Sequence, residues 1–538
     1  MFLRPFSPRF ITLTTFVLAT IALSLALARF PDNEWLLIPL GICLGFVVIG
    51  INDLVQTRHA VLRNYPIAAH LRFLLEAIRP EMRQYFFEDE KFGTPFSRDK
   101  RSVVYQRAKR QLDKRPFGTN YDVYAEGFEW LNHSMAPATV SNDHFRIDVG
   151  SHGKIYDASM FNISAMSFGA LSPNAIRSLN KGAKMGGFAH DTGEGGFSAY
   201  HQENGGDIIW ELGSGYFGAR NLDGTFDPEL FAQTAASDQI KMIEIKLSQG
   251  AKPGHGGVLP AAKVSAEIAR TRHVPMGQDC ISPARHSAFS TPKELLQFVA
   301  TLRELSGNKP TGFKLCVGHE WEFLAICKAM LSTGIHPDFI VVDGKEGGTG
   351  AAPLEFIDHI GKPLREGLSF VHNALTGIGL RDRIRIGASG KIVTAFDMAR
   401  AIALGADWCN SARGFMFALG CIQSQSCHTD RCPTGVATQD RSRQRALVVA
   451  DKAERVANFH RETMKSLAEL TAAAGLDHPS RFGRMHISRR VSPREVMTFA
   501  QLYPVVPRGM LVDDASASPL FGAWQVADAD SFRPITLN

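Results

Sequence analysis

Short apolar runs that end in glycine, serine or charged residues recur along the chain between residues 161 and 414. Stretches with helical periodicity separate them, for example 292–305, 320–332 and 393–404. Strands that alternate with helices form parallel sheets. Eight such units over about 250 residues predict an α/β fold, a closed (β/α)8 barrel of the TIM type rather than an open sheet. The runs are 161–169, 187–196, 240–250, 275–282, 312–318, 339–348, 383–390 and 406–414, of which 275–282 is notably polar.

Polar residues gather where these predicted strands end, which is where a barrel of this kind carries its chemistry. Any one of them is equally an ordinary loop residue, but their joint placement favours a site. They are Ser164, Ser167, Glu194, Lys246, Gln249, Lys314, Asp343, Lys345, Ser389 and Arg413.

The loops after the seventh and eighth predicted strands have the composition of a phosphate site. They read Ala388-Ser389-Gly390-Lys391 and Ser411-Ala412-Arg413-Gly414. Glycine lets backbone N–H groups approach phosphate oxygens, arginine can bind them with two parallel bonds, and helix N-termini favour anions. No strand–GxGxxG–helix unit occurs, so the sequence offers no site for a nicotinamide dinucleotide.

Two uncharged apolar runs, 11–28 and 35–51, predict a transmembrane helical hairpin at the N-terminus. Each is close to the roughly 20 residues that span a bilayer. A signal peptide is the alternative for the first run, but the second run follows too closely to favour cleavage. The flanks carry arginines, whereas the link at 29–34 has one arginine and two acids, which predicts cytoplasmic ends and a cytoplasmic catalytic domain at the inner membrane. The flanking arginines are Arg4, Arg9, Arg58, Arg63 and Arg72.

The net charge of +6 is concentrated next to this hairpin, since residues 56–115 hold 14 Lys/Arg and 7 Asp/Glu. Such a segment is attracted to anionic headgroups by about 1 kcal/mol for each basic residue near the surface. A solvated helix face is the alternative. The basic segment lies next to a membrane span and has no recognisable binding motif, which argues against nucleic acid as a partner. The mean hydropathy of -0.07 excludes a polytopic membrane protein.

Eight cysteines are too few for a disulfide scaffold in a chain of 538 residues. Three of them, Cys421, Cys427 and Cys432, lie within twelve positions and are followed by Pro433. This spacing favours an iron–sulfur cluster. A zinc site with His428 as fourth ligand and three unrelated thiols are the alternatives.

Five segments resemble the FMN-binding synthase domain of glutamate synthase, over about residues 155–445. They are SAMSFGALS (164–172), TGEGG (192–196), IKLSQGAKPGHGG (245–257), DGKEGGTGAAP (343–353) and GCIQSQSCHTDRCPTGVATQ (420–439). The resemblance implies a (β/α)8 barrel that binds FMN and a 3Fe-4S cluster, with Cys421, Cys427 and Cys432 as the cluster's ligands.

The resemblance also implies roles for individual residues. FMN is expected over Ala165, Met166 and Ser167, with Lys314 at its pyrimidine edge, and the phosphate loops above contribute Ser389, Gly390, Arg413 and Gly414. The 2-oxo acid carboxylates are expected at Gln249, Lys252 and Arg272. Glu194 is the candidate proton-transfer group beside the two catalytic lysines, Lys252 and Lys314.

The implied reaction is reductive amination of 2-oxoglutarate or a related 2-oxo acid. Ammonia forms a 2-imino acid, which reduced FMN converts to the amino acid, with electrons entering through the cluster from a donor protein such as a ferredoxin or reductase. The chain opens with Met1-Phe2 and lacks the cysteine nucleophile of a glutaminase domain. Ammonia is therefore expected free or from a separate glutaminase.

The chain departs from the family pattern in the loop GAKPGHGGVLP, where His255 and Val258 replace an acid and an amide, and at Lys391, which replaces a glycine. Because of these changes, the resemblance does not determine which 2-oxo acid is the substrate. A membrane-linked FMN-dependent amino-acid dehydrogenase is one alternative, and a non-catalytic membrane scaffold is another.

The expected domains are an anchor (1–55), a basic juxtamembrane region (56–155), the barrel (156–475) and a C-terminal extension (476–538), either an ordered strap or a flexible end.

Overall fold

The computed structural model describes residues 4–259 and 261–536 and divides the chain into two compact units, one ending at Gly93 and the other beginning at Thr94. Met1 and Phe2, on which the expectation about the glutaminase domain rests, lie outside the described residues, as does Pro260 of the GAKPGHGGVLP loop.

The first unit contains two apolar helices, Ile11–Arg29 and Leu37–Val55, joined by a 3-10 turn at Glu34–Leu36. Both are long and apolar enough to cross a membrane by length and composition. With the exceptions of Leu13, Gly50 and Asp53, their residues are exposed or half-buried, whereas a core helix of a soluble protein is mostly buried. The two predicted helices are thus present, and their insertion into a membrane stays a prediction. Helices Ala60–Asn64 and Ala68–Met82 complete the unit.

The second unit contains a closed barrel of eight parallel strands, which confirms the predicted fold class. We number these strands β1 to β8. They are β1 (Phe161–Ile163), β2 (His190–Asp191), β3 (Ile208–Leu212), β4 (Ile240–Lys246), β5 (Thr311–Leu315), β6 (Phe339–Asp343), β7 (Arg385–Ser389) and β8 (Trp408–Ser411). β8 pairs with β1, through Cys409 and Phe161, and closes the ring.

A helix follows every barrel strand, as the alternating pattern requires. Several begin with a Ser, Thr or Asp cap followed by proline, a sequence that starts helices efficiently. The helices are Pro173–Gly186, Ala199–Gln202, Pro228–Ala235, Pro292–Leu305, Glu320–Thr333, Leu364–Gly377, Ala395–Ala403 and Arg413–Leu419. The long helix Val449–Ala473 packs on Pro173–Gly186 and on helix Arg98–Ala108.

The lower half of the barrel interior is apolar, which leaves the upper half to polar chemistry. Buried side chains from alternate strand positions fill it, and the antiparallel hairpin of Arg146–Val149 with Tyr156–Ser159 packs against this layer from below. Gly387 is required there, because a Cβ at this position would lie 2.6 Å from the ring of Trp408. The layer consists of Ala189, Ile209, Met242, Phe339, Val341 and Trp408.

One predicted strand is wrong. Within 275–282 only Cys280–Ile281 is extended, and it pairs antiparallel with Val258–Leu259 outside the barrel. The third barrel strand is instead β3, whose sequence IIWEL is fully buried. The polar run fails as a barrel strand because it has too few apolar and β-branched side chains to be buried on both faces.

The basic region 56–115 is divided between the two units. From Arg98 to Ala108 it is a helix of the barrel unit, with Arg101 and Arg107 buried. Arg107 donates hydrogen bonds to Thr463 (3.3 Å) and Ser466 (2.8 Å) of the long helix. These two buried arginines therefore belong to the packing of the barrel unit and are not free for lipid headgroups.

The described part of the C-terminal segment is ordered against the barrel. Its strand Ile487–Ser492 lies between Glu129–Leu131 and Glu495–Thr498 in a small antiparallel sheet. Helix Phe521–Val526 packs on Glu320–Thr333, where the Nζ of Lys328 lies 5.1 Å from the ring centre of Trp524. The segment takes the form of a strap rather than a free end.

Candidate active site

A cavity of about 200 Å³ opens at the carboxyl ends of the barrel strands. It brings together nine of the predicted site residues, although they come from six separate segments of the chain. They are Ala165, Met166, Ser167, Glu194, Gln249, Lys252, Arg272, Arg413 and Cys427. A smaller cavity of about 50 Å³ adjoins it and is lined by Lys314, Ser389 and Gly390. Gly414, Cys421 and Cys432 line neither of these two cavities.

Glu194 lies in the turn directly after β2 and forms an ion pair with Lys246 at the end of β4. The Lys246 Nζ is 3.1 Å from the Glu194 Oε2. Burial alone would raise the pKa of this carboxyl, but Lys246, with further contributions from Arg272 and Lys252, lowers it to about 2. Gly193 allows the turn to lie against the first-strand loop, because a Cβ there would be 2.6 Å from the backbone nitrogen of Ser167.

Basic side chains outnumber acids around the larger cavity. Lys252 is buried and donates to the carbonyl of Ala351 (3.3 Å). Burial lowers the pKa of Lys252, and Glu194 partly offsets that effect. Five basic side chains face two carboxylates in the lining, a balance that suits an anionic ligand. The basic residues are Lys246, Lys252, Lys263, Arg272 and Arg413, and the acids are Glu194 and Glu211.

Arg272 is buried near the end of helix Ala266–Arg272 and has spare hydrogen-bonding capacity. Its Nη2 donates to the carbonyl of Phe168 (2.9 Å), and its guanidinium lies 5.1 Å from the ring centre of Phe217. Among the residues that the structure describes, its Nε has no hydrogen-bond partner. A buried donor without a partner is costly, and the Arg272 side chain, which lines the larger cavity, thus keeps donor capacity that the described chain does not use.

A layer of buried charges lies beneath the cavity, around Lys314. Its Nζ contacts Glu211, lies 3.0 Å from Glu244 Oε1 and 4.0 Å from Asp191 Oδ2. Burial would lower the pKa of Lys314, but the carboxylates raise it well above its usual value. Burial also raises the pKa of Glu244 to about 7, despite Lys314. Lys314 was expected beside a flavin, and the structure places its ammonium on these acids.

The two predicted phosphate loops lie side by side, because Ser389 of β7 pairs with Asn410 of β8. Ser389 Oγ is 3.3 Å from Ser164 Oγ of the first-strand loop. Gly390 has a φ of +141° and lines the smaller cavity together with Lys391. Arg413 lines both cavities and donates to the carbonyl of Thr349 (2.6 Å).

Gly414 has a packing role in this structure. A Cβ there would lie 2.5 Å from Ser411 Oγ and 3.1 Å from the ring of Phe459. His255, which replaces an acid of the family loop, is exposed and does not line the larger cavity. Its ring lies 5.1 Å from that of Phe356. The charge change at His255 is therefore outside the cavity lining.

The three clustered thiols lie on the loop after helix Arg413–Leu419. The Cys421 carbonyl accepts a hydrogen bond from Tyr105 (2.6 Å), and the Cys427 carbonyl accepts one from Lys263 (3.1 Å). Burial raises the pKa of the Cys421 thiol. Burial acts in the same direction on Cys432, but hydrogen bonds from Thr434 and from nearby backbone N–H groups lower its pKa overall.

The spacing of these thiols bears on the choice between zinc and a cluster. Within the described ranges, the one group of three potential ligands whose ligand atoms all lie within 4.8 Å is Asp191, Glu211 and Glu244. The three sulfurs therefore do not converge on one point, as a single tetrahedral zinc ion requires. An iron–sulfur cluster distributes its thiolate ligands over several irons and accepts a wider spacing.

Comparisons with known proteins agree with this geometry. Residues 138–477 match the family described as the conserved region in glutamate synthase. The glutamate synthase large subunit-like protein YerD of Bacillus subtilis is 37% identical over 85% of this chain and 95% of its own length. The chain belongs to the glutamate synthase family. Members of this family are oxidoreductases that act on CH–NH2 donors, which makes the chain an enzyme of this class.

Other relatives within the glutamate synthase family are longer than the shared region. The archaeal glutamate synthase [NADPH] of Methanocaldococcus jannaschii is 39% identical over 59% of each chain. The glutamate synthase [NADPH] large chain of Azospirillum brasilense is 33% identical over 59% of this chain but only 20% of its own. This chain thus spans about three fifths of the archaeal protein and one fifth of the large chain.

Glu211 and Glu244 are absent from the site residues predicted from sequence, whereas Lys246 is predicted only as a polar residue at a strand end, without a role. Glu211 was missed together with strand β3, although the run IIWEL before Gly-Ser-Gly is a strand signal. Glu244 and Lys246 are two positions apart in β4 and so face the same side of the strand. That alternation marks both as interior residues, but only the structure shows that one meets Lys314 and the other Glu194.

Proposed function

We propose that this glutamate synthase family member catalyses the reductive amination of 2-oxoglutarate or a closely related 2-oxo acid, with ammonia supplied from outside the chain. The observation that carries this proposal is the excess of buried cations around a small cavity at the barrel mouth. A dicarboxylate substrate would neutralise this excess. The guanidinium of Arg272, whose side chain lines this cavity and has an Nε without a partner among the described residues, supports a carboxylate ligand.

FMN would be held where the two cavities meet. Ala165, Met166 and Ser167 would lie under its ring system, and Ser389, Gly390 and Arg413 would bind its phosphate, with Gly414 packed behind them. The shared lining of Ala165 and Arg413 supports this arrangement. When bound, FMN supplies hydride transfer to carbon, and a 3Fe-4S cluster supplies electrons one at a time.

The chain's own residues bind and orient the substrate. Lys252, Arg272 and Gln249 would hold the carboxylates and so fix the carbonyl carbon in the cavity. Because its pKa is about 2, Glu194 is a carboxylate at neutral pH and would accept a proton from the attacking ammonia. Glu194 would pass this proton to the carbonyl oxygen, which becomes a hydroxyl group. Lys246 would donate a second proton to this hydroxyl group, which leaves as water, and would take one proton back from the iminium nitrogen. Together these transfers produce the imino acid.

Cys421, Cys427 and Cys432 would hold the 3Fe-4S cluster. Cys427 lines the cavity, so the cluster would lie beside the substrate site and receive electrons from a donor protein such as a ferredoxin or a reductase. A separate glutaminase is a possible source of ammonia. The two exposed apolar helices would anchor the enzyme in the inner membrane, with the barrel on the cytoplasmic side.

Cofactor analysis of the full chain, purified in detergent, tests this proposal. We expect FMN in a one-to-one ratio and iron at about three atoms per chain, and we expect 2-oxoglutarate to perturb the flavin spectrum. Reduction of the flavin by an amino acid, without turnover of any 2-oxo acid, would support the amino-acid dehydrogenase instead. A colourless, iron-free protein would support a non-catalytic scaffold.

A further inference from the structure

Helix Ala68–Met82 presents an apolar stripe that no part of the described chain covers. The stripe consists of Leu71, Leu74, Leu75, Ile78 and Met82, each three or four residues from another member, so that they share one face. Their exposed fractions lie between 38% and 61%. A helix face of this kind in water is unfavourable and indicates a partner.

The residues around the stripe are basic and aromatic. Between residues 56 and 83 the chain has five arginines, no lysine and two glutamates. Arg72, Arg79 and Arg83 lie seven or four residues apart and so border the stripe along one side. Tyr85, Phe86 and Phe87 continue the apolar surface beyond the helix and are more than half exposed. Apolar side chains bordered by arginine and aromatic residues are typical of helices that lie in a membrane interface.

The start of this helix is fixed to the polar end of the second apolar helix. Asp53, buried in the last turn of Leu37–Val55, accepts a hydrogen bond from the backbone N–H of Ile67 (2.9 Å) and one from His70 Nε2 (3.0 Å). Gly50 lies against Leu13 and Ile67, since a Cβ there would be 2.5 Å from Leu13 Cδ1. The stripe therefore begins at the level where the candidate span ends.

We propose that helix Ala68–Met82 lies in the plane of the membrane interface, with its apolar stripe among the acyl chains and Arg72, Arg79 and Arg83 on the phosphates of anionic lipids. This inference rests on the membrane attachment proposed above. Charge favours an anionic lipid surface, because three arginines border the stripe and the helix carries two glutamates. Arg72 forms an ion pair with Glu76 (2.8 Å) in which both side chains are exposed and so remain within reach of lipid phosphates. The basic residues at 98–110 are not needed for it.

Amide hydrogen exchange of the full chain in lipid vesicles tests the proposal. We expect exchange across residues 68–87 to be about tenfold slower in phosphatidylglycerol vesicles than in phosphatidylcholine vesicles, and high salt to remove the difference. The double variant Leu74→Glu/Ile78→Glu should lose the protection. The control Ala77→Glu/Pro80→Glu places the same charges on the opposite face and should keep it.

Further outcomes distinguish the interfacial helix from the membrane attachment on which it rests. Alkaline carbonate extraction tests the apolar hairpin alone, and release of the chain would contradict the membrane attachment. If the chain stays in the membrane but exchange at 68–87 is equal in both lipids and unchanged by Leu74→Glu/Ile78→Glu, the interfacial helix is refuted. Protection that is equal in both lipids but lost in that variant would show that the arginines do not act on anionic lipid and would overturn the proposal.

Discussion

The ammonium of Lys246 lies 3.1 Å from the carboxylate of Glu194, across the mouth of the barrel. Both side chains line the cavity that collects the predicted substrate residues, and neither is much exposed. The pair keeps Glu194 ionised among cations, and only in this ionised state can its carboxylate accept a proton.

Replacing Lys246 with methionine should shift the acid limb of kcat/KM to higher pH. In the intact pair the pKa of Glu194 is about 2. Without Lys246, burial raises it, so the carboxyl takes up its proton at a higher pH and stops accepting one from ammonia. Rates measured against pH check this, with Lys241→Met on the same strand as the control. Superimposable pH profiles for Lys246→Met and the wild type would exclude the pair from the reaction.

Arg272→Ala should raise the KM for the 2-oxo acid by about 10–100-fold, since a charged hydrogen bond contributes about 1.5–3 kcal/mol. The exposed Arg270 on the same helix provides a matched control, and Arg270→Ala should leave KM unchanged. Steady-state kinetics on both variants decide the question. An unaltered KM in Arg272→Ala would remove this residue from the substrate site.

Lys314→Met should destabilise the barrel by about 3–5 kcal/mol, because it leaves buried carboxylates without their cation. The effect is measured as the free energy of unfolding in urea at neutral pH. Replacing Lys328, which lies on a helix outside the barrel interior, provides the comparison. If Lys314→Met lowers the free energy of unfolding by less than Lys328→Met does, the buried layer does not depend on Lys314.

Stability should also fall as pH rises through about 7, the pKa of Glu244. A carboxyl whose pKa is higher in the folded protein contributes its full stability below its ordinary pKa of 4.5 and loses it as pH rises past the folded value. Glu244→Gln mimics the protonated form, so the difference in Tm between pH 5.5 and pH 8 should shrink. An unchanged difference would contradict the role of Glu244 in this transition.

Cys427→Ala should lose iron while FMN remains bound. The thiols and the proposed flavin site are built from different loops, so the flavin site does not depend on the cluster ligand. Cys327→Ala, in helix Glu320–Thr333, should retain both cofactors. Iron and flavin content per chain are the measurements. Full iron content in Cys427→Ala would refute the assignment of this ligand.

Much of the barrel follows from local sequence pattern. Seven of the eight predicted runs contain a barrel strand, because buried parallel strands are short apolar segments ended by glycine and polar residues. Strand β3 was not predicted, because the polar run 275–282 completes the eight strands expected for the barrel. The hydrophobic pattern does not distinguish a barrel strand from a strand elsewhere. Cys280–Ile281 is a strand, but it belongs to a small hairpin outside the barrel.

The sequence predicted which residues lie in the site better than it predicted which of them contact each other. Loops that follow parallel strands meet at one end of a barrel, so Glu194, Lys252 and Arg272 converge as expected. Which acid pairs with which base depends on side-chain direction across strands that are distant in sequence. For that reason the position of Lys314 among Asp191, Glu211 and Glu244 could come only from the structure.

The most direct test of the central claim is anaerobic turnover by the purified full chain. The reaction contains FMN-loaded enzyme, a chemical electron donor, ¹⁵N-ammonium and 2-oxoglutarate, with other 2-oxo acids in parallel. We predict ¹⁵N-labelled glutamate, or the amino acid of a closely related 2-oxo acid, and its loss in Arg272→Ala at low substrate concentration. Flavin-loaded enzyme that forms no labelled amino acid from any 2-oxo acid would contradict the account.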